Sequence, residues 1–400
     1  MTANRKKSVT WLYSHLLFWT GGTRFILEVT RRLHQSFDVN IIVEKSSPEV
    51  KKEFNRYGIE VKEIGFSTST SPFYWLFFPW MLRIDEKWIK RETENSDVII
   101  SGIFPMNVVA SRLNKPTIQN CWEPFAFFYD TPMIKGFTLP KRLFIKIIAA
   151  LYSHMDITGT GKSDVITTLN HATEEWLRKI YGRGGVKTYM GVDTDFFRPV
   201  TVTSHDKRWT GNKIIMHSTD YTRLKGTAYL IEAIPIVTRR VKDIKVIITH
   251  TVENKNERNR LLRRARELGV DKVIEFIGTL PYEKLPEYYS IADLVAFTGH
   301  PESVGTTASL TVLEAMACET PVVRSIGCNE EVEDGVSGIL VDPRDRVKLA
   351  GAITEILQDK TLAQRMGIEG RRRVSTLYNW DHTCKVFSDI ITGLIEKRKG

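Results

Sequence analysis

The two halves of the sequence run through the same order of patterns, and this repetition limits the fold more than any single motif. In the first half, short β-rich runs at Val9–Tyr13, Val39–Val43, Val98–Ile100 and Thr117–Gln119 alternate with helical stretches, the first of which follows Gly22. The alternation restarts at Lys213–His217 and continues through Lys245–Thr249, Val273–Ile277, Leu294–Phe297 and Pro321–Arg324. Amphipathic stretches after Lys225, over Asn256–Leu268 and over Leu310–Cys318 fill the gaps. Strand runs separated by helices build parallel sheets, because parallel neighbours need a crossover that a helix supplies. A chain of 400 residues exceeds one ordinary core, so two α/β domains are expected. The boundary is placed after Arg198-Pro199, where the polar run Thr201–Lys207 reads as a linker. Residues 1–199 and 200–377 then form the domains. Residues 378–400 form a closing helix with a basic tail, whose apolar Val386, Phe387, Ile390, Ile391 and Leu394 must pack on something.

Composition excludes several classes. A hydrophobic share of 42% with 26% charged residues is that of a folded globular protein, not of a disordered chain. The four cysteines, Cys121, Cys318, Cys328 and Cys384, are too scattered for a zinc site or a disulfide framework, which fits a reducing compartment. Arg5, Lys6 and Lys7 before the apolar run Val9–Trp19 imitate a leader peptide. That run contains His15 and leads into Thr20-Gly21-Gly22-Thr23-Arg24 without a small-residue cleavage pattern, so it reads as a first strand and its loop. No stretch reaches the roughly 20 apolar residues of a spanning helix. The formal charge of +10 favours an anionic partner: nucleotide phosphates, a nucleic acid or an acidic lipid surface.

Individual motifs differ in weight. Gly21-Gly22 stands between a strand and a helix, where a bare backbone can approach a bound group and the helix start favours negative charge; a plain tight turn explains it equally well. Gly159-Thr160-Gly161-Lys162-Ser163 imitates the end of a P-loop, but the position of the motif's first glycine is Asp156, which rejects it. Arg223 and Lys225, in Thr219-Asp220-Tyr221-Thr222-Arg223-Leu224-Lys225-Gly226, stand at a strand-to-helix junction. There a planar fork and a point charge can hold a diphosphate.

Further along the chain stand Gly191–Pro199, Phe276-Ile277-Gly278, Leu285–Tyr289, Ala292-Asp293-Leu294, Pro301-Glu302-Ser303-Val304-Gly305 and Leu313-Glu314-Ala315-Met316-Ala317-Cys318-Glu319-Thr320-Pro321-Val322-Val323. In order and spacing this series resembles glycosyltransferase family 4, over nearly the whole chain. The resemblance implies a GT-B fold: two facing Rossmann-like domains, an acceptor domain and a donor domain with an inter-domain cleft, and a C-terminal helix returning to the first. It implies a retaining glycosyltransferase that moves a sugar from a nucleotide-sugar donor to a glycan or lipid-linked acceptor, with no metal and no cofactor. The alternative is a catalytically weak relative that binds a nucleotide or glycan. A nucleic-acid-binding protein would account for the charge but for none of the ordered motifs.

Residue by residue, the resemblance assigns donor binding to Gly21, Gly22, Arg223, Lys225, Gly278, Glu302, Gly305, Leu310 and Glu314, and catalytic work to Glu302, Lys225, Arg223 and Glu123. Glu314 corresponds to the glutamate that accepts hydrogen bonds from the ribose, and Lys225 to the cation that offsets charge on the departing diphosphate. Asn120-Cys121-Trp122-Glu123-Pro124-Phe125 is similar to the family's His-Glu-Pro loop with Trp122 for the histidine. This makes Trp122, Glu123 and Tyr129 acceptor-side candidates, while packing of the aromatic run Phe125–Tyr129 is the competing reading. Two positions depart from the family pattern. Its first glutamate stands eight residues before the second, where this chain has Thr306, so Glu302 is taken as the sugar contact displaced by an inserted turn, Thr306–Ser309. Its phosphate-binding arginine stands five residues before the lysine, where this chain has Asp220; Arg223 is the substitute.

Asp193-x-Asp195 reads as a turn rather than a metal motif. With no placed nucleophile, a same-face displacement is expected, in which the leaving phosphate accepts the acceptor's proton. The run Ser71–Leu82, holding Trp75, Phe77 and Trp80, precedes Arg83, Lys87, Lys90 and Arg91, and Lys135–Lys146 is a second basic and apolar stretch. Such pairings seat a protein on an anionic membrane or pack into a core. The expected location is the cytoplasm, with the cytoplasmic face of a membrane as the peripheral site.

Overall fold

The computed structural model describes residues 5–64, 72–201, 209–250, 253–303, 305, 308–327 and 330–398. Thr306, Thr307, Val304, Cys328 and, apart from Thr201, the expected linker lie outside the described residues. Contacts divide the chain into two compact units, Met1–Tyr189 with Trp380–Gly400, and Met190–Asn379. The division precedes the one placed after Pro199, because the Gly191–Pro199 run is tied to the helix Lys360–Leu377 of the second unit. Val192 N–H donates to the Tyr378 carbonyl (2.8 Å), and the Arg371 guanidinium donates to the carbonyls of Phe197 and Thr194 (both 3.1 Å). In the same run the Asp193 carboxylate accepts from the amides of Asp195 and Phe196, which closes a turn.

The first unit is a seven-stranded parallel sheet of β1 (Ser8–Leu16), β2 (Asp38–Ser46), β3 (Glu60–Glu63), β4 (Val98–Ser101), β5 (Thr117–Asn120), β6 (Val165–Thr168) and β7 (Val186–Lys187), in the order β3-β2-β1-β4-β5-β6-β7. Its central strands β1, β2 and β4 are largely buried on both faces because helices cover both. On one face Leu12, Ile42 and Ile99 meet Phe78 and Leu82 of the helix Pro72–Glu92, with Phe104 and with Ile148 of the helix Leu139–Gly161. The P-loop imitation is the last turn of that second helix. The closing helix, Trp380–Lys397, buries Phe387, Ile391 and Leu394. Its Trp380 meets Phe25 edge-on at 5.6 Å, and its Phe387 lies 5.7 Å from Trp11.

The second unit is a six-stranded parallel sheet of β8 (Lys213–Ser218), β9 (Ile244–Thr249), β10 (Ile274–Gly278), β11 (Leu294–Phe297), β12 (Val322–Ser325) and β13 (Ile339–Val341), in the order β10-β9-β8-β11-β12-β13. Ile215, Val246 and Leu294 pack on Leu230 and Ile234 of the helix Thr227–Arg240 and on Leu349 and Ile353 of the helix Arg346–Gln358.

The Pro72–Glu92 helix contains an internal conflict. Its inner stripe is Tyr74, Phe78, Leu82, Asp85 and Ile89, at spacings of three and four, so a carboxylate sits where an apolar residue belongs. Asp85 is 5% exposed, and its Oδ1 has no hydrogen-bond partner. Burial pushes its pKa up to about 7. A carboxyl that is neutral when folded and ionised when unfolded contributes stability fully only below its unfolded pKa. That contribution is lost as pH rises from about 4 to about 7. Asp85→Asn is expected to melt like the wild type at pH 4 and to be more stable by about 2 kcal/mol at pH 8, read from denaturant titrations at both values. Equal midpoints at pH 8 would show that burial does not raise the Asp85 pKa.

Candidate active site

In open parallel sheets, ligands bind outside the carboxyl ends of the strands where the strand order reverses. The second sheet reverses between β8 and β11. The loop leaving β8 carries Asp220, Arg223 and Lys225, and the loop leaving β11 carries Glu302 and Gly305, then opens the helix Leu310–Ala317. Sequence reasoning had grouped these residues by family pattern; the topology brings their loops to one end of one sheet.

The two loops are joined tightly. Gly226 has φ +72°, and a Cβ there would lie 1.7 Å from the Thr298 carbonyl oxygen. The Thr298 hydroxyl donates to the Gly226 carbonyl (2.8 Å), and His300 N–H donates to the Leu224 carbonyl (2.6 Å). Glycine is therefore required next to Lys225 for both its backbone angle and its missing side chain. The clamp delivers the Lys225 ammonium to the Gly305 carbonyl, 3.0 Å away, four residues before the Ser309 N-cap of the Leu310–Ala317 helix. A cation and the unpaired amides of a helix start thus lie in one loop system, which suits an anion. Arg223 is exposed in the single 3-10 turn before Gly226, and among the described residues it makes no ion pair.

Asp220 does not leave an unbonded negative charge in this loop. Its Oδ1 accepts from Thr222 N–H (3.1 Å) and from the Thr222 hydroxyl (2.9 Å), so the carboxylate shapes the turn that presents Arg223 and Lys225. Glu314 is buried in the Leu310–Ala317 helix, where its Oε2 accepts from the Tyr289 hydroxyl at 2.8 Å. Leu310 is the first residue of that helix. Gly278 ends β10 with φ +81°, and its carbonyl accepts from His250 N–H (3.2 Å). Glu302 is exposed and bound to Arg344 at 2.7 Å, and the same guanidinium holds Asp342 through two nitrogens. Hydrogen bonding to these two carboxylates raises the Arg344 pKa. Arg344 was not singled out from sequence, and Tyr289 was named only as the end of the Leu285–Tyr289 run. Both are long-range partners, 42 and 25 positions away, and no local pattern announces them.

The remaining candidates belong to the first unit, at the carboxyl ends of β1 and β5, beside that sheet's reversal between β1 and β4. Gly21 and Gly22 open the helix Gly21–Leu33 behind Thr20, whose hydroxyl accepts from Thr23 N–H. The Trp122 ring lies against Gly22, where a Cβ would come within 2.7 Å of it, and against Tyr13 and Phe25 with centroids at 5.6 and 5.2 Å. Gly22 is thus a seat for an indole, and Trp122 packs the start of that helix. Glu123 follows in the same loop, and its charge adds to burial in raising the Tyr13 pKa. Tyr129 donates to the buried Asp156 (2.9 Å), which also accepts from Tyr181 (2.8 Å) and Asn107 (2.7 Å). Cys121, Cys318 and Cys384 are buried free thiols.

Comparison with known proteins bears on the fold and on the second unit's sequence. Residues 203–373 match the model of the glycosyl transferases group 1. Over 321 residues the chain is 29% identical to a GDP-mannose-dependent α-(1-6)-phosphatidylinositol monomannoside mannosyltransferase of Mycolicibacterium smegmatis, covering 74% of this chain and 83% of the relative. Among solved structures, a glycosyltransferase of Rickettsia africae superposes with a TM-score of 0.75 at 18% identity, covering 98% and 99% of the two chains. Anabaena HepE in complex with UDP-glucose superposes at 0.76 with 16% identity, covering 96% and 99%. At such identities the structural matches speak for the fold alone. The two all-parallel Rossmann-like sheets give the chain the GT-B fold of these structures, and its second unit carries the sequence match to the glycosyl transferases group 1.

Proposed function

We propose that the protein transfers a sugar from a nucleoside-diphosphate sugar to a hydroxyl of a glycan or lipid-linked acceptor, with retention at the anomeric carbon and without a metal ion. The observation that carries this reading is Lys225, held 3.0 Å from the Gly305 carbonyl at the strand reversal, in the loop that opens the Leu310–Ala317 helix. The M. smegmatis relative is named for a GDP-sugar and a phosphoinositide acceptor, and Anabaena HepE holds UDP-glucose. Both donors are nucleoside-diphosphate sugars, which supports the diphosphate as the shared element.

In this mechanism the bond between the anomeric carbon and the diphosphate oxygen breaks, and the bond to the acceptor oxygen forms on the same face. The acceptor's proton passes to the departing phosphate oxygen. Lys225, Arg223 and the helix amides compensate the negative charge that grows there, a task that otherwise falls to a metal. Glu314 receives the ribose hydroxyls, with Tyr289 fixing its carboxylate. Glu302, oriented by Arg344, takes the sugar hydroxyls, and Glu123 and Tyr129 face the acceptor.

The experiment is transfer by the purified protein across a panel of nucleotide sugars, with the anomeric configuration of the product read by NMR and with EDTA in a parallel reaction. Retained configuration and undiminished turnover in EDTA are expected. An inverted product, or loss of activity restored by a divalent ion, refutes the mechanism. Glu314→Gln is expected to raise the donor KM roughly 10- to 50-fold, because a hydrogen bond to a charged group contributes about 1.5–2.3 kcal/mol. An unchanged donor KM would remove Glu314 from the ribose site.

A further inference from the structure

Eight of the sixteen exposed large apolar side chains among the described residues lie on just two helices of the first unit, Pro72–Glu92 and Leu139–Gly161. On the second helix Leu139, Leu143, Ile147 and Leu151 recur every four residues along its outer side. On the first, Leu76, Phe77 and Trp80 point outward while Tyr74, Phe78 and Leu82 fill the core. These seven outward residues are between 51% and 74% exposed. Of the three aromatic residues singled out from sequence, Phe77 and Trp80 are on this face. Trp75 is not: it is half-buried, its ring 6.5 Å from Phe125 and its carbonyl bonded to the Tyr152 hydroxyl (2.8 Å).

The two helices are neighbours. Tyr152, next to Leu151 in the chain, meets Phe78 at 4.9 Å and Trp75 at 6.2 Å. Each helix leads into a strand of the same parallel sheet, so each starts at the carboxyl end of that sheet, where the Glu123 loop also lies. Leu76, Phe77, Trp80, Leu139 and Leu143 belong to the starting halves. Cations flank the apolar rows: Arg83, Lys87, Lys90 and Arg91 on the first helix are exposed, as are Lys141 and Lys146 on the second and Lys135 just before it. The second helix carries no acidic residue except Asp156, which is fully buried.

We propose that this two-helix face seats the protein on an anionic lipid bilayer. Apolar side chains of this size on adjacent helices enter the acyl boundary, and the cations around them meet lipid phosphates. The charge selects the occupant: two copies of the chain brought face to face would oppose the same cations across an apolar contact, whereas an anionic surface neutralises them. No helix among the described residues is long and apolar enough to cross a membrane, so the contact is one of surface attachment. Docking does not depend on the proposed sugar transfer, and the two are tested separately.

The test is sedimentation with vesicles of phosphatidylcholine, with and without phosphatidylglycerol, at low and high salt, using the full chain. The wild type is expected to pellet with the anionic vesicles at low salt and to release with salt. The variant Leu143→Ser/Ile147→Ser/Leu151→Ser and the variant Phe77→Ser/Trp80→Ser should each lower the bound-to-free ratio by roughly tenfold or more. Lys141→Glu/Lys146→Glu should remove most of the preference for phosphatidylglycerol. All three alter outward-facing side chains, so their melting curves and their turnover of a nucleotide sugar with a soluble acceptor should match the wild type. Wild-type protein that stays in the supernatant with anionic vesicles overturns the proposal. So does binding that all three variants retain, or a wild-type dimer that the serine variants dissociate without lipid.

Discussion

Lys225→Ala lowers the rate of sugar transfer by about 100- to 1000-fold with the melting temperature unchanged. The ammonium already sits at its place, bonded to the Gly305 carbonyl, so no reorganisation is needed when charge develops on a diphosphate beside it. Removing one preorganised donor of this kind typically raises a barrier by about 3–4 kcal/mol. The loss should appear in kcat more than in KM, because the charge to be compensated is larger at the transition state than in the bound donor. Lys225→Arg should recover part of the rate, since it keeps the charge but replaces a compact ammonium by a broad planar fork. Initial rates measured on both variants decide the matter. A folded Lys225→Ala protein within about threefold of wild-type kcat would contradict the assigned role.

Gly226→Ala has the largest expected effect on stability. Alanine would have to adopt φ +72° and to place its Cβ 1.7 Å from the Thr298 oxygen and 2.6 Å from the Thr298 carbonyl carbon. Those are backbone atoms, so no side-chain rotation relieves the overlap. The β8 and β11 loops must separate, breaking the Thr298-to-Gly226 and His300-to-Leu224 hydrogen bonds. Strained backbone and overpacking together cost about 3 kcal/mol or more. For a unit of this size that is a fall of roughly 6–12 °C in the midpoint of thermal unfolding. The same separation carries Lys225 away from Gly305, so activity should fall even below the melting range. A midpoint equal to that of the wild type would mean that the clamp is not present in solution.

The alternation of strands and helices was legible because buried parallel strands are continuous apolar runs, and every run read from the sequence falls on a strand, with Val273 and Pro321 one residue ahead of theirs. The strands that escaped notice are at or near the sheet edges: β3 with the sequence EVKE, two-residue β7, three-residue β13 and β6 with VITT. Such strands are defined by the neighbour they hydrogen-bond to rather than by their own composition. The closing helix was legible from its apolar spacing, but its partners Trp11 and Phe25, more than 350 positions earlier, were not. The charge of Asp220 at the family's arginine position is visible in sequence, whereas its bond to Thr222 is not.

By itself the sequence determined the α/β architecture, the doubling of that pattern and the resemblance to glycosyltransferases, since these follow from periodicity and from motif order along the chain. The tertiary structure decided what each motif residue touches. It clamps Gly226 under Thr298, places Glu302 on Arg344, gives Glu314 its tyrosine, and seats Trp122 on Gly22. It also divided the aromatic run between core and surface, burying Tyr74 and Phe78 and leaving Phe77 and Trp80 outside. The reason is physical: periodicity records which face of an element is apolar, whereas partners depend on crossings between elements far apart in the chain, and those exist only once the sheets have formed.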